Sequence, residues 1–94
     1  MRAFEFHVNG NKVCSAGLGD DGVLTAILSS VTIKGTESHL ELYVGGLVST
    51  TGEHLTWVKQ NLHLDDELRV KVVEISSPDH PVSRERTDQT KDLK

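Results

Sequence analysis

Val23-Leu24-Thr25-Ala26-Ile27-Leu28-Ser29-Ser30-Val31-Thr32-Ile33 is the stretch on which the fold class turns. As a helix it places Leu24, Ile27, Leu28 and Val31 at i, i+3, i+4 and i+7, with Asp20 or Asp21 available as an N-cap near the positive helix end. As a strand it puts Val23, Ile27, Val31 and Ile33 on one face and Leu24, Ala26 and Leu28 on the other, the pattern expected of a strand covered on both sides. Its β-branched residues lose side-chain freedom in a helix, so the strand is the favoured reading and one short helix the alternative.

The neighbouring segments all point to β structure. Phe4, Phe6 and Val8 alternate with Glu5 and His7; Leu40, Leu42 and Val44 alternate with Glu41 and Tyr43; Leu68, Val70 and Val72 alternate with Arg69 and Lys71. Each segment therefore has one face for a core and one for water or a partner. Asn9-Gly10 suits a type I′ hairpin between strands over Arg2–Val8 and Lys12–Ala16. Two registers are open in that hairpin, with either Phe6 or Val8 opposite Val13. His39–Val44 should end at Gly45-Gly46, where a bulge or bend is permitted. His54–Val58 forms a further short strand with Trp57 inward, and Leu68–Ile75 forms the last. The apolar phase changes between Val72 and Val73, which suggests a bulge or two-sided burial. The expectation is an all-β domain, with room for one short helix: a small antiparallel β-sandwich or partly closed β-barrel of 5 to 7 strands. Residues 1–82 form this single domain, and residues 83–94, with Leu93 the lone large apolar residue, form a polar, disordered tail.

Composition narrows the function classes. Of the 94 residues, positions 1–83 hold six Lys or Arg against eleven Asp or Glu, a balance of −5, within a whole-chain formal charge of −4. An acidic body without a basic stripe repels phosphate backbones, so no nucleic-acid partner is expected. No apolar run is long enough to span a bilayer and no export signal is visible, so no membrane partner is expected either. The single cysteine, Cys14, fits a reducing cytoplasm. A domain of this size buries roughly 60% of its unfolded surface, which favours a binding surface over a deep catalytic pocket.

Several phrases add a resemblance: Asn9-Gly10 with Val13-Cys14-Ser15-Ala16-Gly17, Gly22-Val23-Leu24-Thr25-Ala26, Val44-Gly45-Gly46-Leu47, Gly52-Glu53-His54-Leu55-Thr56-Trp57, and Asp66-Glu67-Leu68. Together they resemble a group of small uncharacterised bacterial proteins of unassigned function, over most of the body and not the tail. The resemblance implies a single bacterial domain and no chemistry. Members of that group often carry Gly where this chain has Asp65.

The chemistry-bearing residues are sparse. His39, His54, His63, His80 and Cys14 lack the spacing of a zinc site, so no metal and no cofactor is expected. Gly17-Leu18-Gly19-Asp20-Asp21-Gly22 matches G-x-G-x-x-G by letter without the βαβ unit that the dinucleotide fold needs. A hydrolase using Cys14, or a His with a carboxylate, ranks third among the readings, because a lone cysteine is commonly buried as a small hydrophobe. The leading expectation is a non-enzymatic protein-binding module of a bacterial cytoplasm, acting through a sheet edge or the Tyr43 face, with Tyr43, Leu47 and Trp57 as contact residues. Its partner is another protein or a second copy of itself. The alternative is a small-molecule or cation-binding β-barrel with Asp20, Asp21, Asp65 and Asp66 at its mouth.

Overall fold

A computed structural model describes residues 1–19, 21–35 and 39–86, and over these the chain forms seven strands and no helix. Two antiparallel sheets face each other as a small β-sandwich rather than a closed barrel. In the first, β1 (Arg2–Val8) lies between β2 (Asn11–Gly17) and β6 (Leu68–Glu74). In the second, β3 (Gly22–Val31), β4 (His39–Val48) and β5 (Glu53–Asn61) form a meander to which β7 (Ser83–Arg86) adds on the far side of β5.

The β1–β2 hairpin turns at Asn9 and Gly10, both at positive φ (53° and 84°), which matches the twist of the flanking strands. Neither expected register is found, because a bulge leaves Val13 opposite neither Phe6 nor Val8. His7 lies opposite Lys12, Phe6 lies opposite Cys14, and Val13 is the extra residue between them. Phe6 and Cys14 thereby share the buried face.

A second bulge shapes the core. Val44 pairs with Val58 and Gly45 with Thr56, leaving Trp57 without a partner across the ladder. The extra residue re-aims the strand so that the adjacent Trp57 and Val58 are both buried, together with Leu55. The core combines Phe6, Cys14 and Ala16 of the first sheet with Leu42, Val44, Val48, Leu55, Trp57 and Val58 of the second. Strand β4 runs through Gly45-Gly46 to Val48, four residues beyond Val44, because the bulge accommodates the glycines within the ladder.

The Val23–Ile33 segment is a strand, as its β-branched residues favour, and not a helix. It is not covered on both sides, however. β3 is the edge of its sheet, and Val23 and Ile27 on one face and Leu28 on the other are all exposed. β6 is likewise an edge, in unbroken register with β1 from Arg2↔Glu74 to Val8↔Leu68. The expected bulge or two-sided burial near Val72-Val73 is not found: the register is unbroken there, and Val72 is exposed while Val73, opposite the buried Ala3, is half-buried.

Ser83–Arg86, placed in the disordered tail by their polarity, instead pair with Glu53–Thr56 of β5. Backbone hydrogen bonding to an existing edge suffices for a strand that buries few side chains. Residues 87–94 lie outside the described residues. Between β6 and β7 the chain forms a strap, residues 75–82, that touches both sheets. Asp79 donates its N–H to Ser15 O (2.9 Å) and accepts from Ser15 N through Oδ2 (2.8 Å), holding the free side of β2 at Ser15. Asp79 O accepts from Trp57 Nε1 (2.7 Å), and Val82 N donates to Thr56 O (2.7 Å), tying the strap to β5. The edge of β2 is thus held at Ser15 and that of β5 over Glu53–Thr56, while among the described residues no strand pairs with the outer side of β3 or β6.

Candidate functional site

The register of β3 on β4 sets side chains of the two strands directly across from each other: Val23 from Leu47, Thr25 from Gly45, Ile27 from Tyr43, Ser29 from Glu41 and Val31 from His39. Opposed residues in an antiparallel pair share a face. Since Leu42, Val44 and Val48 point into the core, this set faces outward. Its apolar members Val23, Ile27, Val31 and Leu47 are 58%, 47%, 46% and 36% exposed, and Tyr43 is half-buried among them. Singly exposed apolar residues are ordinary, but a contiguous stripe on an edge strand marks an interaction surface.

Tyr43 is fixed in this face by the glycine that follows. A Cβ on Gly45 would meet the Tyr43 hydroxyl, so the ring lies across the space that Gly45 leaves open. Tyr43 also lies opposite Lys59 of β5. The face is therefore apolar toward β3 and polar toward β5, where His54, Thr56, Lys59 and Asn61 line up.

Of the three contact residues expected from sequence, Tyr43 and Leu47 come together here and Trp57 does not. Trp57 is 5% exposed, on the inner side of the second sheet, with its indole N–H bonded to the strap. Val23, Ile27 and Val31 were missed as surface residues because an apolar strand with both faces populated resembles a central one. The signal that distinguishes an edge, absence of a second pairing partner, is not local to the strand.

The acidic residues do not converge on one mouth. Asp21 lies at the start of β3, where its carbonyl accepts from Ser49 N (2.9 Å). Asp65 and Asp66 line a groove of about 490 Å³ with Leu28, Leu40, Leu62 and Leu68, toward the other end of the same strand. Seven residues of extended chain separate Asp21 from Leu28, on the order of 25 Å. Asp20 lies outside the described residues. Both carboxylate oxygens of Asp66 are engaged within the protein: Oδ1 accepts from Asn9 Nδ2 (2.9 Å) and Oδ2 from His63 N (2.7 Å). Glu67 N donates to Asn9 Oδ1 (2.9 Å), so these residues pin the β1–β2 turn to the β5–β6 connection. Asp65 sits beside this clamp at φ 74°, a left-handed conformation that glycine adopts more readily than aspartate.

These contacts make part of the stability acid-sensitive. The hydrogen bond from Asn9, and then that from the His63 backbone, hold the Asp66 carboxyl below its ordinary value of 3.8. The His7 imidazole, whose Nε2 is 3.2 Å from Glu5 Oε1, does the same for Glu5 below 4.5. A carboxyl that binds its proton less readily when folded stabilises the fold above its unfolded value, and that contribution is lost as the pH falls through the folded value. The urea midpoint is therefore expected to fall from neutrality to pH 3, and to fall less in Asp66→Asn. Equal acid dependence in the variant would show that the clamp carries none of it.

Cys14 is buried, and desolvation pushes its thiol up to about 11, so it is protonated at neutral pH and poorly poised as a nucleophile. Among the described residues, no three His, Cys, Asp or Glu side chains gather where a metal ion could be held. No described helix is long and apolar enough to cross a membrane.

Fold and surface together define a class: a small antiparallel β-sandwich with one long, uncharged edge strand left open. No protein-family model, curated protein or solved structure matches the chain, so the surface is read from its own residues.

Proposed function

We propose that the protein is a non-enzymatic interaction module of a bacterial cytoplasm that binds a protein partner through β3 and the adjoining Tyr43–Leu47 face. The observation that carries this reading is the exposed stripe Val23, Ile27 and Val31 beside Tyr43 and Leu47, on a strand whose outer edge has no pairing partner among the described residues. Edge strands ordinarily carry lysine, proline or a bulge that discourages pairing. Gly22–Val31 carries none of these: it has no charged residue and no proline, and it is in unbroken register with β4. An exposed edge of this kind recruits an extended segment through main-chain hydrogen bonds, and the flanking side chains select which segment.

The test is affinity capture from bacterial lysate with the tagged protein, beside Tyr43→Ala and Ile27→Lys, with the captured chains quantified by mass spectrometry and untagged copies of this chain counted among them. The expected result is a stoichiometric companion whose recovery falls at least tenfold in Ile27→Lys and measurably in Tyr43→Ala. Recovery unchanged in both variants would remove this face as the binding surface.

A further inference from the structure

We infer that the occupant of the β3 edge is a second copy of this chain, paired antiparallel to β3 about a two-fold axis at Ile27, so that two four-stranded sheets become one sheet of eight. The inference rests on the reading of β3 as a binding edge and adds the partner and the register.

The first ground is the direction of the free backbone groups. Ser49 N donates to Asp21 O (2.9 Å) at one end of the β3–β4 pair, so the Asp21 carbonyl points toward β4. Leu62 N donates to Leu40 O (2.8 Å), so Leu40, which lies opposite Ser30, turns its backbone groups toward β5. Alternation along the strand then directs the N–H and C=O of Gly22, Leu24, Ala26, Leu28 and Ser30 to the open edge. That is an unbroken row of donors and acceptors on one side of a ten-residue strand.

The second ground is that the side-chain pattern is symmetric about Ile27. A two-fold axis normal to the sheet keeps outward residues beside outward residues, so only pairings between positions of like parity are allowed. Centred on Ile27, the register sets Val23 against the second copy's Val31, Thr25 against its Ser29, and Ile27 against its Ile27. All three apolar outward residues find apolar partners, and the two small hydroxyl residues face each other. On the inner face Ala26 meets Leu28 and Leu24 meets Ser30, and these are the narrow pairs that exchange about eight hydrogen bonds in all. A slip of two residues either way puts Ile27 against Thr25 or Ser29 and dismantles the apolar stripe.

The third ground is charge. Gly22–Ile33 is uncharged, with Asp21 before it and Lys34 after it. Antiparallel pairing about Ile27 brings each chain's Asp21 to the end where the second copy's Lys34 lies, unlike charges at both ends. Parallel pairing would set like against like. An acidic partner would meet the general repulsion of the body without this local compensation.

The experiment combines sedimentation equilibrium of the full chain with oxidation of single-cysteine additions. The wild type is expected at twice its 10.3 kDa chain mass and Ile27→Lys at the monomer mass, with an unchanged far-UV circular dichroism spectrum. Directly opposed residues at a non-hydrogen-bonded antiparallel site lie within disulfide reach. Ile27→Cys should therefore cross-link to a dimer under diamide, while Val70→Cys on the other open edge, and the wild type with its buried Cys14, should not. A monomeric wild type at high micromolar concentration, or cross-linking through Val70→Cys in place of Ile27→Cys, would overturn the inference. If the wild type is monomeric yet captures a different protein in an Ile27-dependent way, the second copy is excluded and the interaction surface stands. If Ile27→Lys changes neither mass nor capture, both readings fall.

Discussion

Replacing Trp57 with alanine is expected to remove about 3–5 kcal/mol of stability, the range for deleting a large buried aromatic side chain. Trp57 is 5% exposed and belongs to the core cluster, where the bulge between Val44 and Gly45 turns it inward. Its indole N–H donates to Asp79 O, so the same substitution also releases the strap from the second sheet. For a small domain whose whole stability is of order 5–15 kcal/mol, the variant should be marginal at room temperature. Trp57→Phe separates the two contributions: it keeps most of the packing and loses the hydrogen bond, and should cost about 1 kcal/mol for the bond plus a smaller packing deficit. Urea denaturation of both variants checks this. A Trp57→Ala loss no larger than that of Trp57→Phe would mean that the ring packs little.

Gly22→Ala is expected to be strongly destabilising for a change of one carbon. A Cβ at Gly22 would fall on the Leu47 carbonyl oxygen and within 2.8 Å of Leu18 Cδ1. The carbonyl is part of the β3–β4 ladder and cannot swing away as a side chain can, so β3 must shift at its first residue. Overpacking of this kind costs roughly 1–3 kcal/mol, and the backbone obstacle places Gly22→Ala at the upper end. Gly19→Ala is the control, since its nearest heavy atom would be Met1 Cε at 3.6 Å, an ordinary contact. Equal denaturation midpoints for the two variants would refute the clash. The two-fold pairing adds a second readout: a shifted start of β3 moves Val23 away from the second copy's Val31, so Gly22→Ala should weaken association as well as folding.

Much of the fold was legible in alternation. Phe4, Phe6 and Val8 marked β1, Leu40, Leu42 and Val44 marked β4, and Asn9-Gly10 marked the turn that both positive φ angles realise. Bulges were harder, because an extra residue such as Val13 or Trp57 breaks the period only relative to a neighbouring strand that the local sequence does not name. The exposure of β3 failed to show for the same reason. Val23, Ile27 and Leu28 look like residues of a central strand, and only the strand order reveals that β3 is an edge among the described residues. Ser83–Arg86 has no apolar pattern at all; it is a strand because β5 offers an edge. As for the candidate site, Tyr43 and Leu47 could be placed on one outward face from alternation; Trp57 is inward, as its strand led one to expect, and only its role as a contact residue fails.

The strap has a consequence for what the molecule can build. With β2 held at Ser15 by Asp79, and β5 covered over Glu53–Thr56 by β7, a pair joined at β3 keeps β6 of each protomer as an open edge, one that carries the like charges of Arg69 and Lys71. Were residues 75–82 to peel away, each protomer would present the edge of β2, and more of that of β5, in addition to β6. The clasp formed by Asp79 thus limits how many strand edges a protomer offers, and its loosening would add to the edges through which β-sandwiches aggregate.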